Sequence, residues 1–191
     1  MRYEPEHKKQ TRDRIVRNAA RKLRAEGLGG TGVASVMKAS GLTVGGFYKH
    51  FRSKEELVAD ALALGFSEFY DKAQSALKEV PREQWWKEIV RLYLSAEHCD
   101  HPGTGCPVAA LAPEIARAKR SLKKKISGRI EGLTGQWVAL MPGATAAERE
   151  QNFYVIFSAM AGAVTFARLL NEPAARQKVL ASVQDHLLRS Y

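Results

Sequence analysis

The chain has 191 residues, 45% of them hydrophobic, and a formal net charge of +10 at neutral pH. This length and hydrophobic content allow a buried core in one domain or two small ones, which excludes an intrinsically disordered protein. No apolar run approaches the roughly 20 residues of a membrane-spanning helix, and the N-terminus lacks the apolar segment of a signal peptide. We therefore expect a cytoplasmic protein with no membrane partner, whose charge favours an acidic partner such as nucleic acid.

Helical periodicity recurs along the chain, and no stretch alternates apolar and polar residues over the length of a strand. A first helix is predicted from apolar residues that repeat every four positions, Ile15, Ala19 and Leu23. It should stop at Gly27, because glycine commonly ends helices. Two short helices are then predicted over residues 33–40 and 44–51, joined by a tight turn at Gly41-Leu42-Thr43. Two short helices joined by a glycine-containing turn are typical of a helix-turn-helix.

The rest of the chain predicts further helices and one loop. Ser53 with Glu56, and Thr145 with Glu148, match the capping-box pattern and predict helix starts. Residues 98–107 are rich in proline and glycine and are predicted to form a loop. One helix is predicted through four apolar residues, Ile126, Ile130, Leu133 and Trp137. About nine helices and no sheet are expected in total.

The second short helix of the predicted helix-turn-helix is unusual, because Gly45 and Gly46 adjoin inside it. Each glycine costs a helix about 1 kcal/mol relative to alanine. Close approach of the backbone to a groove wall would offset this cost. Thr43 is placed to cap the helix. Side chains able to donate to phosphate oxygens follow, namely Tyr48, Lys49, His50 and Lys54. The alternative interpretation is core packing in an ordinary helical protein.

Residues 30–57, GTGVASVMKASGLTVGGFYKHFRSKEEL, resemble the DNA-binding region of the TetR family of one-component transcriptional regulators. The residues that match the family pattern are Thr31, Gly41, Tyr48, His50, Phe51, Lys54 and Glu55. Gly32 departs from the serine or threonine that is usual in the family, and Met37 departs from the usual alanine. The remainder of the chain resembles the family only in being helical and of the usual length.

The resemblance implies an all-α fold with two domains. Residues 1–53 would form a three-helix DNA-binding domain with a helix-turn-helix, and residues 54–191 a larger helical domain for ligand binding and dimerisation. The implied protein is a homodimer, joined through its last two helices, that binds a palindromic operator in double-stranded DNA. Most such proteins repress transcription until a small-molecule inducer releases them.

The resemblance also assigns roles to single residues of the helix-turn-helix. The phosphate contacts that it implies are Thr43, Tyr48, His50 and Lys54. The groove-facing positions that it implies are Val44, Gly45, Gly46 and Lys49. Thr31, before the first short helix, completes the predicted DNA-binding set.

Aromatic residues concentrate after residue 65, and pockets between bundled helices are commonly lined by such residues. We interpret them as a domain able to hold a hydrophobic or aromatic ligand. The candidate lining residues are Phe66, Tyr93, Trp137 and Phe157. The alternative for each is ordinary core packing. Small residues after Thr145, among them Gly162, would allow close helix packing, which favours a dimer interface over packing within the chain.

The two cysteines, Cys99 and Cys106, have three interpretations. One is a thiol sensor that reacts with an oxidant or electrophile. A second is a metal site with the neighbouring histidines, but the spacing lacks the forms typical of zinc sites. The third is two ordinary small residues in or near a loop. We therefore expect neither a metal site nor a cofactor.

Two further features bear on the class of protein. The sequence contains no nucleophile elbow, phosphate loop, zinc motif or dinucleotide fingerprint, so no enzyme is expected. A helical interaction module without DNA binding remains the other class. Residues 117–129 are strongly basic, and we interpret them as a solvated helix face, with a second DNA contact or an acidic-ligand site as alternatives.

Overall fold

The computed structural model describes residues 5–130 and 132–191, and every regular element within these ranges is a helix. The α-helices are α1 (Pro5–Gly30), α2 (Val33–Ala39), α3 (Lys54–Ala76), α4 (Trp85–Tyr93), α5 (Ala96–Asp100), α6 (Pro107–Arg117), α7 (Arg120–Ile130), α8 (Leu133–Val138), α9 (Ala146–Ala167) and α10 (Pro173–Ser190). Short 3-10 helices lie at Val44–Lys49, Arg82–Gln84 and Pro102–Thr104. The prediction of an all-α fold is confirmed. None of the described helices is both long enough and apolar enough to cross a membrane.

The buried apolar side chains form two clusters that share α3. The first joins α1, α2 and the 3-10 helix Val44–Lys49 to the N-terminal half of α3. The second joins the C-terminal half of α3 to α4, α9 and α10. Leu111 of α6 and Ile126 of α7 belong to the first cluster, so the N-terminal core includes residues far along the chain. The division into residues 1–53 and 54–191 therefore stays a functional prediction, since α3 contributes to both cores.

Gly27 interrupts α1 at the predicted helix stop. Its backbone has φ 79° and ψ 171°, which is not helical, although helical turns resume up to Gly30. A carboxylate oxygen of Glu114 in α6 accepts hydrogen bonds from the N–H groups of Leu28 (2.8 Å) and Gly29 (3.4 Å). A Cβ atom on Gly27 would lie 2.7 Å from the other carboxylate oxygen. The kink therefore depends on the glycine backbone and on α6 together.

Both predicted capping boxes mark helix starts. The Thr145 hydroxyl accepts a hydrogen bond from the N–H of Glu148, whose carboxylate accepts one from the N–H of Thr145 in return. The Ser53 hydroxyl likewise accepts from the N–H of Glu56 (3.2 Å). The Glu56 carboxylate, however, binds the N–H of Arg52 (2.8 Å). The local pattern therefore located both helix starts. At α3 the glutamate binds the N–H of the residue before the N-cap serine, instead of the N–H of the serine itself.

Two predicted elements differ in the structure. The predicted loop at residues 98–107 is partly helical, because α5 continues to Asp100 and a 3-10 helix follows. The Ser95 hydroxyl caps α5 by accepting from the N–H of His98, a start signal that the proline and glycine content masked. The single helix predicted through Ile126 and Trp137 is two helices, α7 and α8. Gly132 directly precedes α8, and glycine favours such an interruption.

Arg24 links α1 to the second half of the molecule. Its guanidinium is buried and donates to the carbonyl oxygens of Gly65 in α3 (3.3 Å) and Gly105 (3.4 Å). It also donates to the carboxylate of Glu68 in α3 (2.8 Å). A buried cation is destabilising unless it is paired and hydrogen-bonded; here both terminal nitrogens have acceptors, whereas Nε has none among the described residues. This residue therefore holds three segments of the chain in one arrangement.

His98 holds the turn that follows α5. Its Nδ1 lies 2.6 Å from the carbonyl oxygen of Tyr93, and its Nε2 accepts from the N–H of Cys106 (2.9 Å). Burial lowers the pKa of His98 to about 4, so the ring is neutral at pH 7 and Nε2 can accept a hydrogen bond. Arg168 of α9 donates to the carbonyl oxygens of His98 (2.8 Å) and Cys99 (2.9 Å). The turn is therefore tied to α4 and to α9.

Gly27→Ala is expected to lower the free energy of unfolding by about 1–3 kcal/mol. The φ of 79° is strained for any residue with a Cβ atom, and the new methyl group would displace Glu114. Urea denaturation measures the change.

Gly29→Ala is the matched control, because a Cβ atom there would meet nothing within 4 Å and φ is not positive. It is expected to change the free energy of unfolding by less than about 0.5 kcal/mol. Equal losses in the two variants would contradict the assigned role of Gly27.

Candidate nucleic-acid interface

The 3-10 helix Val44–Lys49 has one buried anchor and an exposed polar face. Phe47 is buried, and its ring stacks on the ring of Phe51 with 5.4 Å between centroids. Tyr48, by contrast, has 77% of its surface exposed, and Val44 has 51%. Thr43 and Lys49 are exposed beside them. The anchor therefore holds the helix on the core while its other side chains face solvent.

The turn before this helix requires glycine. Gly41 has φ 68°, in the left-handed region, and the next N–H, from Leu42, donates to the carbonyl oxygen of Met37 (2.9 Å). The Asn18 side chain of α1 donates to the Ala39 carbonyl oxygen (3.2 Å) and the Ser40 hydroxyl (3.0 Å), which fixes the end of α2. The structure thus has a helix-turn-helix with its turn where the sequence predicts it.

Thr43 has a different role from the predicted one. It precedes the 3-10 helix, but its side chain makes no capping hydrogen bond. Its hydroxyl is instead exposed to solvent. The helix begins with a backbone bond from the N–H of Gly46 to the carbonyl oxygen of Thr43 (3.1 Å), so the side chain is free to bind another molecule.

Neither glycine of the pair is required by the chain's own packing. A Cβ atom on Gly45 would meet nothing within 4 Å, and one on Gly46 would lie 3.6 Å from the terminal methyl carbon of Met37, an ordinary contact. Neither residue has a positive φ. The two glycines weaken the helix, and neither the packing nor the backbone conformation of the chain requires them. Their presence therefore favours close approach of another molecule to the backbone.

The surroundings of His50 are positively charged. Burial lowers the pKa of His50, and the charges of Lys8, Arg12 and Lys49 lower it further. Lys54 is exposed at the start of α3, and its ammonium group lies 3.4 Å from the Leu28 carbonyl oxygen. A site with several cations and a neutral imidazole attracts phosphate oxygens and offers them donors.

The structure brings most of the predicted DNA-binding residues to one exposed region. These are Thr43, Val44, Gly45, Gly46, Tyr48, Lys49, His50 and Lys54. Thr31 is the exception, because only 2% of it is exposed and its hydroxyl is buried without a hydrogen-bond partner among the described residues. A hydroxyl in this position faces the core. Its predicted DNA contact therefore has no support from its position.

Three of the four candidate ligand-lining residues pack in one aromatic cluster around Phe69. Its ring lies 5.4 Å from that of Tyr93 and 5.9 Å from that of Trp137, measured between centroids. The ring centroids of Tyr93 and Phe157 are 5.7 Å apart. Phe66 is half-buried one turn before Phe69. These side chains fill the space between them, so a ligand would have to displace some of them.

The two cysteines are buried, and the structure gives neither a reactive environment. Burial raises the pKa of the Cys99 thiol and of the Cys106 thiol. A raised pKa lowers the fraction of the nucleophilic thiolate. Both ring nitrogens of His98 are engaged with backbone groups. Within residues 5–130 and 132–191, no group of three or more histidine, cysteine or acidic side chains is arranged to hold a metal ion.

Residues 15–61 match the family model described as bacterial regulatory proteins, tetR family. The match runs from Ile15 of α1 into the first half of α3 and includes the complete helix-turn-helix. No curated protein is significantly similar to the chain in sequence.

Several solved structures share the fold over nearly the whole chain. A TetR transcriptional regulator from Chloroflexus aurantiacus has a TM-score of 0.74 at 22% identity, covering 96% of this chain and 97% of its own. A TetR-family regulator from Cytophaga hutchinsonii has a TM-score of 0.73 at 20% identity, covering 95% of each chain. The regulator FadR from Bacillus subtilis, in complex with stearoyl-CoA, has a TM-score of 0.67 at 16% identity, covering 94% of this chain and 98% of its own.

At these identities the structures establish the fold alone. The family model matches the N-terminal region that contains the helix-turn-helix. Both agree with the exposed helix-turn-helix described above. The N-terminal region of the chain therefore matches the tetR family of bacterial regulatory proteins, and the chain as a whole has the fold of the TetR-family regulators compared with it.

Proposed function

We propose that the protein is a repressor that binds a palindromic operator as a homodimer and is released by a small apolar ligand. The observation that carries the DNA-binding part is the exposed 3-10 helix with a glycine pair that the chain itself does not require. The proposed phosphate contacts are Thr43, Tyr48, His50 and Lys54. The proposed groove-facing positions are Val44, Gly45, Gly46 and Lys49.

Few side chains of this helix can read base edges. Gly45 and Gly46 present backbone only, and Val44 offers an apolar contact, such as one to a thymine methyl group. Lys49 and Thr43 are the remaining groups for direct readout. Much of the operator preference would therefore come from the shape and deformability of the DNA.

An exposed apolar stripe on α9 supports the homodimer. Its large members are Tyr154, Val155 and Phe166, and Leu169 lies just beyond the C-terminus of the helix; each is at least half exposed. Ser158 and Gly162 lie between them and are also exposed, and a Cβ atom on Gly162 would meet nothing within 4 Å. Apolar side chains that face away from their own core mark an interface. In the dimer, the two copies of the 3-10 helix Val44–Lys49 would lie about 34–36 Å apart, or a multiple of that distance.

The aromatic cluster around Phe69 supports an apolar ligand. The similar FadR structure holds stearoyl-CoA, a molecule with a long apolar chain. In this chain, Phe66, Tyr93, Trp137 and Phe157 are the proposed lining residues. Rearrangement there would act on α6 and on the turn at Gly105, which contact α1 through Glu114 and Arg24.

A thiol sensor based on Cys99 or Cys106 is the alternative mode of release. Its specific support is the position of Cys106, which lies beside Tyr93 inside the proposed ligand region. Its weakness is burial, because the pKa of both thiols is raised. A Cys106→Ser variant that still releases DNA with the same inducer would exclude an obligatory role of that thiol.

Tyr48→Ala and Gly45→Ala are each expected to weaken operator binding by about tenfold, which corresponds to about 1.4 kcal/mol. The first loses a phosphate donor, and the second adds a methyl group between backbone and DNA. Gly45→Ala should leave the free energy of unfolding unchanged or higher, because its methyl group meets open space. A mobility shift on operator DNA selected from the genome measures affinity.

Tyr191→Ala removes another exposed tyrosine, far from the helix-turn-helix, and is expected to bind as the wild type does. Wild-type protein that showed no salt-dependent DNA binding would overturn the proposed function. Equal binding by Tyr48→Ala and Tyr191→Ala would overturn the assigned role of Tyr48.

Phe166→Glu is expected to yield a folded monomer with weaker operator binding. The side chain is 54% exposed in the single chain, so a carboxylate is tolerated there but not in an apolar dimer interface. Sedimentation at micromolar concentration measures the state of association, and circular dichroism the helix content. Phe166→Leu is the control and should remain a dimer. A wild-type protein that sedimented as a monomer would contradict the interface.

An apolar ligand is expected to raise the midpoint of thermal unfolding and to change tryptophan fluorescence, since binding only the folded state stabilises it. Stearoyl-CoA and a set of smaller aromatic compounds are suitable probes. Trp137→Phe assigns the fluorescence change to the proposed site, because Trp85 and Trp86 remain. No response to any compound of the set would count against the ligand.

A further inference from the structure

We propose that α7 supplies a second DNA contact, in which its exposed basic side chains bind backbone phosphates beyond those reached by the 3-10 helix. This inference rests on the DNA-binding function proposed above. It concerns a part of the chain outside the family model, which ends at residue 61.

The position of α7 is the first argument. It packs along the N-terminal half of α3, and the ammonium group of Lys125 lies 3.4 Å from the hydroxyl of Ser53. Ser121 donates a hydrogen bond to the carboxylate of Glu55 (3.0 Å). Ser53 and Glu55 flank Lys54, a proposed phosphate contact. The basic helix therefore lies within about one side-chain length of the DNA-binding surface.

A groove separates α7 from the start of α3. It lies between α3 and α7, has a volume of about 820 Å³, and includes Arg52, Glu56, Lys124 and Lys125 among its lining residues. Arg52 directly follows Phe51, the second aromatic anchor of the helix-turn-helix. The residue next to the helix-turn-helix therefore lines one end of this groove.

The acidic side chains at the groove are already paired. Glu56 forms an ion pair with Arg12, and Glu55 forms one with Lys125 (3.4 Å). Hydrogen bonds from Ser121 and Lys125 lower the pKa of Glu55, and the charges of Lys125 and Lys119 lower it further. The guanidinium of Arg52 and the ammonium of Lys124 have no acidic partner among the described residues. Positive charge therefore remains for an external anion.

The charge pattern of α7 favours a polyanion over a solvated face. Its sequence, RSLKKKISGRI, contains no acidic residue. Its exposed basic residues, with Lys119 just before it, are Lys119, Arg120, Lys123, Lys124 and Lys125. Solvated helix faces usually alternate the two signs of charge, because like charges one turn apart repel each other. Adjacent DNA phosphates would relieve this repulsion and release counterions.

The test is the double variant Arg120→Gln/Lys124→Gln, whose two side chains lie one helical turn apart. Lys78→Gln/Arg189→Gln is the matched control, because it removes the same charge from exposed residues elsewhere. Lys78 follows the C-terminus of α3, about 35 Å along the helix from Ser53. Affinity is measured on the selected operator and on a random duplex of equal length, over a series of salt concentrations.

The α7 variant is expected to bind both duplexes several-fold more weakly than the control, by a similar factor, because phosphate contacts carry no sequence information. Its slope of log affinity against log salt should become shallower by about 0.9 for each phosphate that the variant no longer neutralises. Circular dichroism should show an unchanged fold, since neither side chain has a hydrogen-bond or ion-pair partner within the part of the chain that the structure describes.

Equal DNA affinity and equal salt slope in the α7 variant and the control would overturn the inference. A groove that binds a small anion but no DNA would give this result too. If Tyr48→Ala still loses binding under the same conditions, the proposed function stands without the α7 contact. If the wild-type protein binds neither duplex, both proposals fail.

Discussion

The buried guanidinium of Arg24 is the interaction on which the arrangement of the two cores depends. It joins α1 to α3 through Gly65 and Glu68, and to the turn after α5 through Gly105. Moving a cation out of water costs several kcal/mol unless hydrogen bonds and an opposite charge compensate. A Cβ atom on Gly65 would lie 2.7 Å from the guanidinium, so α3 also leaves room for it.

A second link reaches the helix-turn-helix through α6. The Glu114 carboxylate binds the free N–H groups that the kink at Gly27 exposes, immediately before α2. Arg24 and Glu114 therefore connect the same helix, α1, to neighbouring parts of the larger core. These contacts are the route by which a displacement of α6 or of the turn at Gly105 would act on the helix-turn-helix in the proposed release by a ligand.

The surface of the molecule divides into regions with different chemistry. The 3-10 helix presents polar side chains and bare backbone, α7 presents positive charge, and α9 presents apolar side chains. None of these faces contributes its exposed residues to the core of the same chain. The partners that we propose for these three faces are a DNA groove, DNA phosphates and the helix of a second copy, respectively.

The sequence by itself determined most helix starts and turns, because these depend on neighbouring residues: Gly27 and Gly41 lie at the predicted breaks, and Thr145 with Glu148 begins α9. The helix-turn-helix was recognisable for the same reason. Only the tertiary structure decided which side chains are accessible. Thr31 is buried against the core, the cysteines lie in low-reactivity surroundings, and α7 packs beside Lys54, about 70 residues away in the chain. Burial and proximity of this kind arise from the packing of remote segments, which local patterns do not encode.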